Sequence, residues 1–272
     1  MNTWGKVFLV GAGPGDPELL TLKAAKVLRS AEVVLHDELV SHEILRLIPP
    51  TAELVNVGKR SGKPSTRQSD INQLLVQYAL LGFRVVRLKG GDPFIFGRGG
   101  EEMEALRQAG IEVEIVPGVT AALGAAAAVQ VPLTHRELSS TLILVTGSSK
   151  QSEHIANWPD RLPSNATVVV YMPGDLRLLQ NRLLGSGVSP ATPCAIISEA
   201  STESEQTHIT DVSHLSDSPT LAAPKLLVIG EVVRLADLRR LHQQFSQFSF
   251  SQESASVSSS NSNTSNSVES AE

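Results

Sequence analysis

Val7-Phe8-Leu9-Val10-Gly11-Ala12-Gly13-Pro14-Gly15-Asp16 is a short apolar run that stops abruptly in a glycine cluster. A continuous apolar run bounded by glycine reads as a buried strand, and the glycines allow a sharp turn and close approach of backbone to a ligand. Leu20, Ala24, Val27, Leu28 and Ala31 then fall at helical spacing, and Val33-Val34-Leu35 begins a second strand that ends at His36-Asp37. The pattern repeats. Glu53–Val57 predicts a third strand. Ile71, Leu74, Leu75 and Tyr78 mark one face of a helix ending at Gly82, and Arg84–Leu88 predicts a fourth strand. Glu101 and Glu102 suit the first turn of a following helix, where carboxylates complement the helix dipole. Glu112–Val116 predicts a fifth strand. Strands alternating with helices of this length imply a parallel sheet covered on both faces.

The alanine-rich segment Thr120–Val129 predicts a tightly packed helix leading out of this unit. Beyond it, Leu142–Val145, Val168–Tyr171, Ala195–Ile197, Glu205–Thr210 and Leu226–Ile229 read as strands, with one clear intervening helix near Leu176–Leu184 and a closing helix at Leu235–Phe245. So few helices among so many strands imply a mixed sheet. The expected division is an N-terminal α/β domain at 1–118, a C-terminal α/β domain at 119–246 and a tail at 247–272. Ten of the 22 residues from Ser251 to Glu272 are serine, a composition that cannot bury enough apolar surface to form a core, so the tail is expected to be disordered.

Composition excludes several classes. Aromatics make up 4 % of the 272 residues and the net charge is -5, which supplies neither a stacking platform nor a basic face for nucleic acid. No apolar stretch approaches the roughly 20 residues of a membrane span, and the start lacks the regions of a signal peptide, so the expectation is a cytoplasmic protein. The single cysteine, Cys194, lies in an apolar run and reads as core. The seven histidines show no metal-ligand spacing, and no metal is expected.

The first glycine cluster is not a dinucleotide fingerprint. Asp16 stands where Gly-x-Gly-x-x-Gly needs its third glycine, and would oppose a pyrophosphate. A ligand without phosphate fits better. Gly90-Gly91-Asp92-Pro93 likewise follows a strand directly, and in open parallel sheets ligands bind beyond the carboxyl ends of strands. Two glycine clusters at such ends point to one cleft, where Asp92 could accept hydrogen bonds from a ribose or an amino group. Asp37, at the end of the second strand, is a candidate base. Lys59-Arg60, Arg98 and His135-Arg136 recur around the same inferred cleft and suggest a site for an acidic substrate.

These stretches resemble the tetrapyrrole methylase family. Val10–Leu22 is similar to its opening. Val85–Glu102, reading Val-Val-Arg-Leu-Lys-Gly-Gly-Asp-Pro-Phe-Ile-Phe-Gly-Arg-Gly-Gly-Glu-Glu, is similar to its uroporphyrinogen-III C-methyltransferase branch. Gly58-Lys59-Arg60, Val116–Ala121, Val131–Arg136, Tyr171-Met172 and Val228–Val233 fit the same branch, and the likeness runs from about Lys6 to Leu241. The resemblance implies two α/β domains with the cofactor in the cleft between them, usually as a homodimer. It implies S-adenosyl-methionine as methyl donor, S-adenosyl-homocysteine as by-product, and two methyl transfers, to C2 and C7 of uroporphyrinogen III, giving precorrin-2 for siroheme or cobalamin. Pro14, Gly90, Gly91, Asp92 and Ile95 would contact the cofactor, together with Thr120, Ala121, Met172 and Ala200. Asp37 would be the proton acceptor and Lys59 the proton donor, with Arg60, Arg98 and Arg136 binding the substrate's carboxylates. His36 departs from the usual Tyr before the Asp, and Ala200 from a frequent Gly. Some relatives carry an amino-terminal dehydrogenase and ferrochelatase module; with the first glycine cluster at Gly11, no such module is expected here. The nearest rival is another precorrin or cobalt-precorrin methyltransferase. From other classes come a nicotinamide-dependent oxidoreductase, opposed by Asp16, and a non-catalytic nucleotide-binding regulator, opposed by Asp37 and Lys59.

Overall fold

A computed structural model describes residues 4–58, 66–147 and 158–236. The first half is a parallel sheet of β1 (Val7–Gly11), β2 (Val33–His36), β3 (Glu53–Asn56), β4 (Val85–Lys89) and β5 (Val113–Val116), in the order β3-β2-β4-β1-β5. Helices cover both faces. Phe8, Val10, Val34 and Val86 pack against Ala24 and Leu28 of α1 (Leu22–Leu28) and Ile44 of α2 (His42–Leu45). Val7, Leu9, Leu35 and Val85 pack against Ile71 and Leu75 of α3 (Gln68–Leu80) and Leu106 of α4 (Gly99–Gln108). Alternate residues of one strand thus enter two cores, which is why these strands read as unbroken apolar runs.

The connections decide where a ligand can bind. After β1 the chain crosses to β2 over one face, by way of α1. After β4, the neighbour of β1, it crosses to β5 on the other side of β1, by way of α4 on the opposite face. The helices that follow β1 and β4 therefore lie on opposite faces, which marks the ends of these two strands as the topological switch point where ligands bind.

The second half is a mixed sheet, as its scarcity of helices implied. β6 (Thr141–Thr146) pairs parallel with β7 (Ala166–Tyr171), while β10 (Lys225–Ile229) runs antiparallel between β7 and β8 (Pro193–Ser198), and β9 (Gln206–Asp211) closes the other edge. α5 (Ala121–Ala128) covers one face and α6 (Leu176–Gly185) the other. Two five-stranded α/β layers of this kind match the architecture that the sequence resemblance implies.

Some expectations need correction. The helix expected over Leu20–Ala31 is shorter: Pro17–Leu19 forms a 3-10 turn, Leu20 is extended, and Thr21 starts α1 by accepting the Ala24 N–H at 3.1 Å. α2 is a four-residue turn of helix too brief to leave a periodic signal. Glu231–Leu235 is a 3-10 helix, and the rest of the expected closing helix lies outside the described residues, as do Lys59, Arg60 and the tail.

Candidate active site

The two glycine loops meet. Gly91 donates to the Gly13 carbonyl at 2.7 Å, Gly13 returns a bond to the Gly91 carbonyl at 3.2 Å, and Ala12 donates to Lys89 O at 2.7 Å. A third loop joins them through Gly118, whose N–H donates to Asp92 Oδ2 at 3.1 Å. A Cβ on Gly118 would sit 2.3 Å from the Gly91 carbonyl oxygen, so only glycine lets these loops close on one another. Asp92 Oδ1 accepts the Phe94 N–H at 2.8 Å. Asp92 thus braces the loops with both oxygens, a role that its candidacy as a ligand contact did not anticipate. Asp16 lies at the start of the 3-10 turn and accepts the Glu18 N–H at 2.8 Å.

A cavity of about 200 Å³ lies where these loops face the second sheet. From the first half, Pro14, Gly90, Gly91, Asp92 and Ile95 line it. From the second, Thr120, Ala121, Met172 and Ala200 do so. All nine residues assigned to the cofactor by resemblance therefore converge on one space, and Asp37 lines it as well. Small residues hold the two halves close. A Cβ on Gly124 of α5 would meet Pro14 Cβ and Cγ at 2.8 Å and Ser201 Oγ at 2.9 Å, and one on Gly15 would meet Thr202 Cγ2 at 2.8 Å. The alanine-rich helix is the wedge that this contact requires.

Asp37 continues β2, its N–H donating to Leu88 O at 3.2 Å. Its carboxylate Oδ1 takes a short ion-paired hydrogen bond from Arg87 Nη2. Arg87 Nε and Lys89 Nζ both reach Glu102 Oε1 at 3.0 Å. Burial by itself would draw a proton from Arg87, but Asp37 and Glu102 outweigh it and hold the guanidinium charged. Lys89 is shifted the other way: burial, then the charge of Arg87, lower its pKa more than Glu102 raises it. His36, in place of the expected Tyr, is buried with Nδ1 3.0 Å from the Asp37 carbonyl oxygen.

The arginines do not converge in the same way. Arg98 is exposed and pairs with Glu101 by two bonds of 2.7 Å, and exposed Arg136 lies in a turn. Neither lines the cavity. Sequence reasoning missed several groups that do. Tyr171 lines the cavity, its hydroxyl 2.6 Å from Thr120 Oγ1 and accepting the Ala122 N–H at 3.1 Å, and the ring of Phe96 packs against it at 4.9 Å. Burial raises the Tyr171 pKa, so it stays a neutral hydroxyl. Phe96, Arg98, Met172, Glu199 and Ser201 hold φ between +48° and +66°, a backbone region that side chains disfavour. Such strain gathers where a site is over-determined by its surroundings. Among the described residues no group of three or more His, Cys, Asp and Glu could hold a metal ion, and no helix is long and apolar enough to cross a membrane.

This is a cleft for an uncharged or cationic ligand. Two carboxylates, Asp37 and Asp92, face a space otherwise lined by glycine, aliphatic and aromatic groups, with Lys225 at one wall. Residues 6–216 match the Tetrapyrrole (Corrin/Porphyrin) Methylases, so the chain belongs to that family. It is 50 % identical over 242 residues to siroheme synthase 2 of Aeromonas hydrophila subsp. hydrophila, covering 87 % of this chain and 51 % of that protein. The chain spans about half the length of the curated relatives it matches. Among solved structures it is similar to uroporphyrin-III C-methyl transferase of Thermus thermophilus complexed with S-adenyl homocysteine. That match has 41 % identity and a TM-score of 0.74, covering 85 % of this chain and all of that one. A cobalt precorrin-4 methyltransferase matches at 28 % identity and a TM-score of 0.72, covering 84 % of this chain and 95 % of the other.

Proposed function

We propose that the chain is a uroporphyrinogen-III C-methyltransferase that transfers two methyl groups from S-adenosyl-methionine to C2 and C7, giving precorrin-2. The observation that carries the reading is the convergence of Pro14, Gly90, Asp92, Thr120, Met172 and Ala200 on one cleft beside Asp37. The cleft suits such a donor. It offers carboxylates and glycine backbone to a cationic sulfonium ligand and no cradle for phosphate. The enclosed volume of about 200 Å³ is below the roughly 300–1,000 Å³ of pockets that swallow a drug-sized ligand, so the donor would keep one side open to the acceptor.

The donor supplies an electrophilic methyl group. The pyrrole carbon of the substrate is already nucleophilic, so the protein's task is alignment: the cleft residues fix the donor while the substrate approaches from the open side. Asp37 then takes the proton that the methylated ring must lose, one for each methyl gained, and where Lys59 gives a proton at another position the macrocycle loses a second one in exchange, so that it ends neutral. Arg60, Arg98 and Arg136 receive the peripheral carboxylates, a role that fits the exposure of Arg98 and Arg136. The division at 118/119, the disordered tail, a homodimer, a cytoplasmic location and use of the product for siroheme or cobalamin belong to the same proposal. The higher identity to the uroporphyrin enzyme than to the cobalt-precorrin enzyme favours this branch.

Calorimetric titration tests the donor class: S-adenosyl-homocysteine should bind and NAD should not. Tight NAD binding without S-adenosyl-homocysteine binding would contradict the reading. Asp37→Asn should bind S-adenosyl-homocysteine normally and turn over about 10²- to 10⁴-fold more slowly. Turnover at the wild-type rate would remove Asp37 as the proton acceptor.

A further inference from the structure

Arg87 and Lys89 are charged side chains of β4, each 2 % exposed among Val85, Val86 and Leu88, and Glu102 of α4, which pairs with both, is 0 % exposed. Apolar residues of similar volume would commonly serve stability as well or better, because desolvating ions costs more than their attraction returns unless every bond is made. The placement asks for another reason.

The geometry supplies one. Arg87 makes four hydrogen bonds: Nε to Glu102 Oε1, Nη1 to the carbonyls of Leu35 and Leu88, and Nη2 to Asp37 Oδ1. It is buried and does not line the cavity, so it has no route to substrate except through Asp37. Asp37, with its side chain 29 % exposed, does line the cavity. Glu102 stands in the first turn of α4, directly after the glycine loop, and also accepts from Lys89 Nζ at 3.0 Å and Gln68 Nε2 at 3.2 Å. The stem of Lys89 runs beneath that loop, 3.3 Å from where a Cβ on Gly97 would lie.

We propose that Arg87 is a positioning residue that fixes the Asp37 carboxylate, and that Glu102 is the shared counter-charge locking Arg87 and Lys89, so that the base and the cofactor loop are held in one register. The proposal rests on the reading of Asp37 as proton acceptor. The planar guanidinium grips Asp37 on one edge and Glu102 on the other, a reach that an ammonium lacks.

The test compares Arg87→Met and Arg87→Lys, both in the full chain with uroporphyrinogen III and S-adenosyl-methionine. Arg87→Met leaves Glu102 paired with Lys89, so the fully buried charges still balance while Asp37 loses its anchor. Its affinity for S-adenosyl-homocysteine and its KM should stay within about threefold of wild type, while kcat falls about 10- to 100-fold, the cost of misplacing a reacting group. A purely structural network would leave the folded variant with wild-type kcat, and that result would overturn the proposal. So would a loss of S-adenosyl-homocysteine affinity as large as the loss of kcat. If Arg87→Met does not fold, Arg87→Lys carries the test, since it keeps the buried charge but cannot hold both carboxylates. It should lower kcat at unchanged KM, and wild-type turnover would overturn the proposal. A wild-type protein that does not methylate uroporphyrinogen III overturns the functional reading as well, whereas an active wild type with an unaffected Arg87→Met variant overturns this proposal alone.

Discussion

Gly91 has φ +64°, yet a Cβ there would meet nothing closer than 3.6 Å. The requirement for glycine is therefore the left-handed backbone itself and not a lack of room. Gly91→Ala should destabilise the protein by about 1–2 kcal/mol, the cost of that conformation for a side chain. Urea unfolding checks it, and an unchanged midpoint would mean that the loop relaxes. The two glycine clusters were legible because glycine encodes a backbone need directly. Arg87 and Glu102 were not: Glu102 read only as a carboxylate complementing a helix dipole, nothing in the spacing paired it with Arg87, and only the strand order shows that β4 is central. Cys194 was legible as core. It is 0 % exposed and burial, reinforced by the charge of Asp211, pushes its thiol up to about 12. A thiol-exchange reagent at mildly alkaline pH should leave Cys194 untouched in the folded protein and modify it fully in urea; rapid labelling under native conditions would contradict its placement.

Among the elements, α5 carries the contact between the halves, and its packing follows from residue size alone. Gly124→Val would drive a side chain into Pro14 and Ser201 and should cost about 1–3 kcal/mol as overpacking, weakening S-adenosyl-homocysteine binding with it. Unchanged affinity in calorimetry would show that Pro14 takes no part in the site. On the far face, Glu114 of β5 ties Lys23 of α1 at 2.6 Å and Lys6 at 2.9 Å, and these bonds, that of Lys23 first, lower its pKa from 4.5 to about 2. A depressed carboxylate stabilises the fold above its unfolded pKa and loses that contribution as pH falls through the folded one. The pair is partly exposed, so Glu114→Gln should cost only about 0.2–1 kcal/mol at neutral pH. The gap to wild type in urea unfolding should close as pH falls from 4.5 toward about 2; a gap that stays constant would mean that the charge is not the cause. The strands were legible from apolar runs. α2 was not, being too brief to leave a periodic signal, and neither was the shortened start of α1, where capping by Thr21 and the turn at Pro17 overrode the apolar spacing.

At the scale of the molecule, periodicity implied a parallel unit followed by a mixed one, but not the strand order that puts β1 beside β4. That order brings the two glycine loops into hydrogen-bond contact and makes the crevice, so the site was legible as a set of residues before it was legible as a place. The composition of the serine-rich tail supplies too little apolar surface for a core, and deleting residues 251–272 should leave melting temperature and methyl transfer unchanged; a large loss of either would show that it docks on the body. The central claim is that this cleft aligns a methyl donor with a tetrapyrrole. Mass spectrometry of the product after anaerobic incubation with uroporphyrinogen III and S-adenosyl-methionine tests it most directly. The account predicts a gain of one methyl and then a second, ending at precorrin-2. No gain with uroporphyrinogen III, but a methyl gained by a later precorrin, would contradict it.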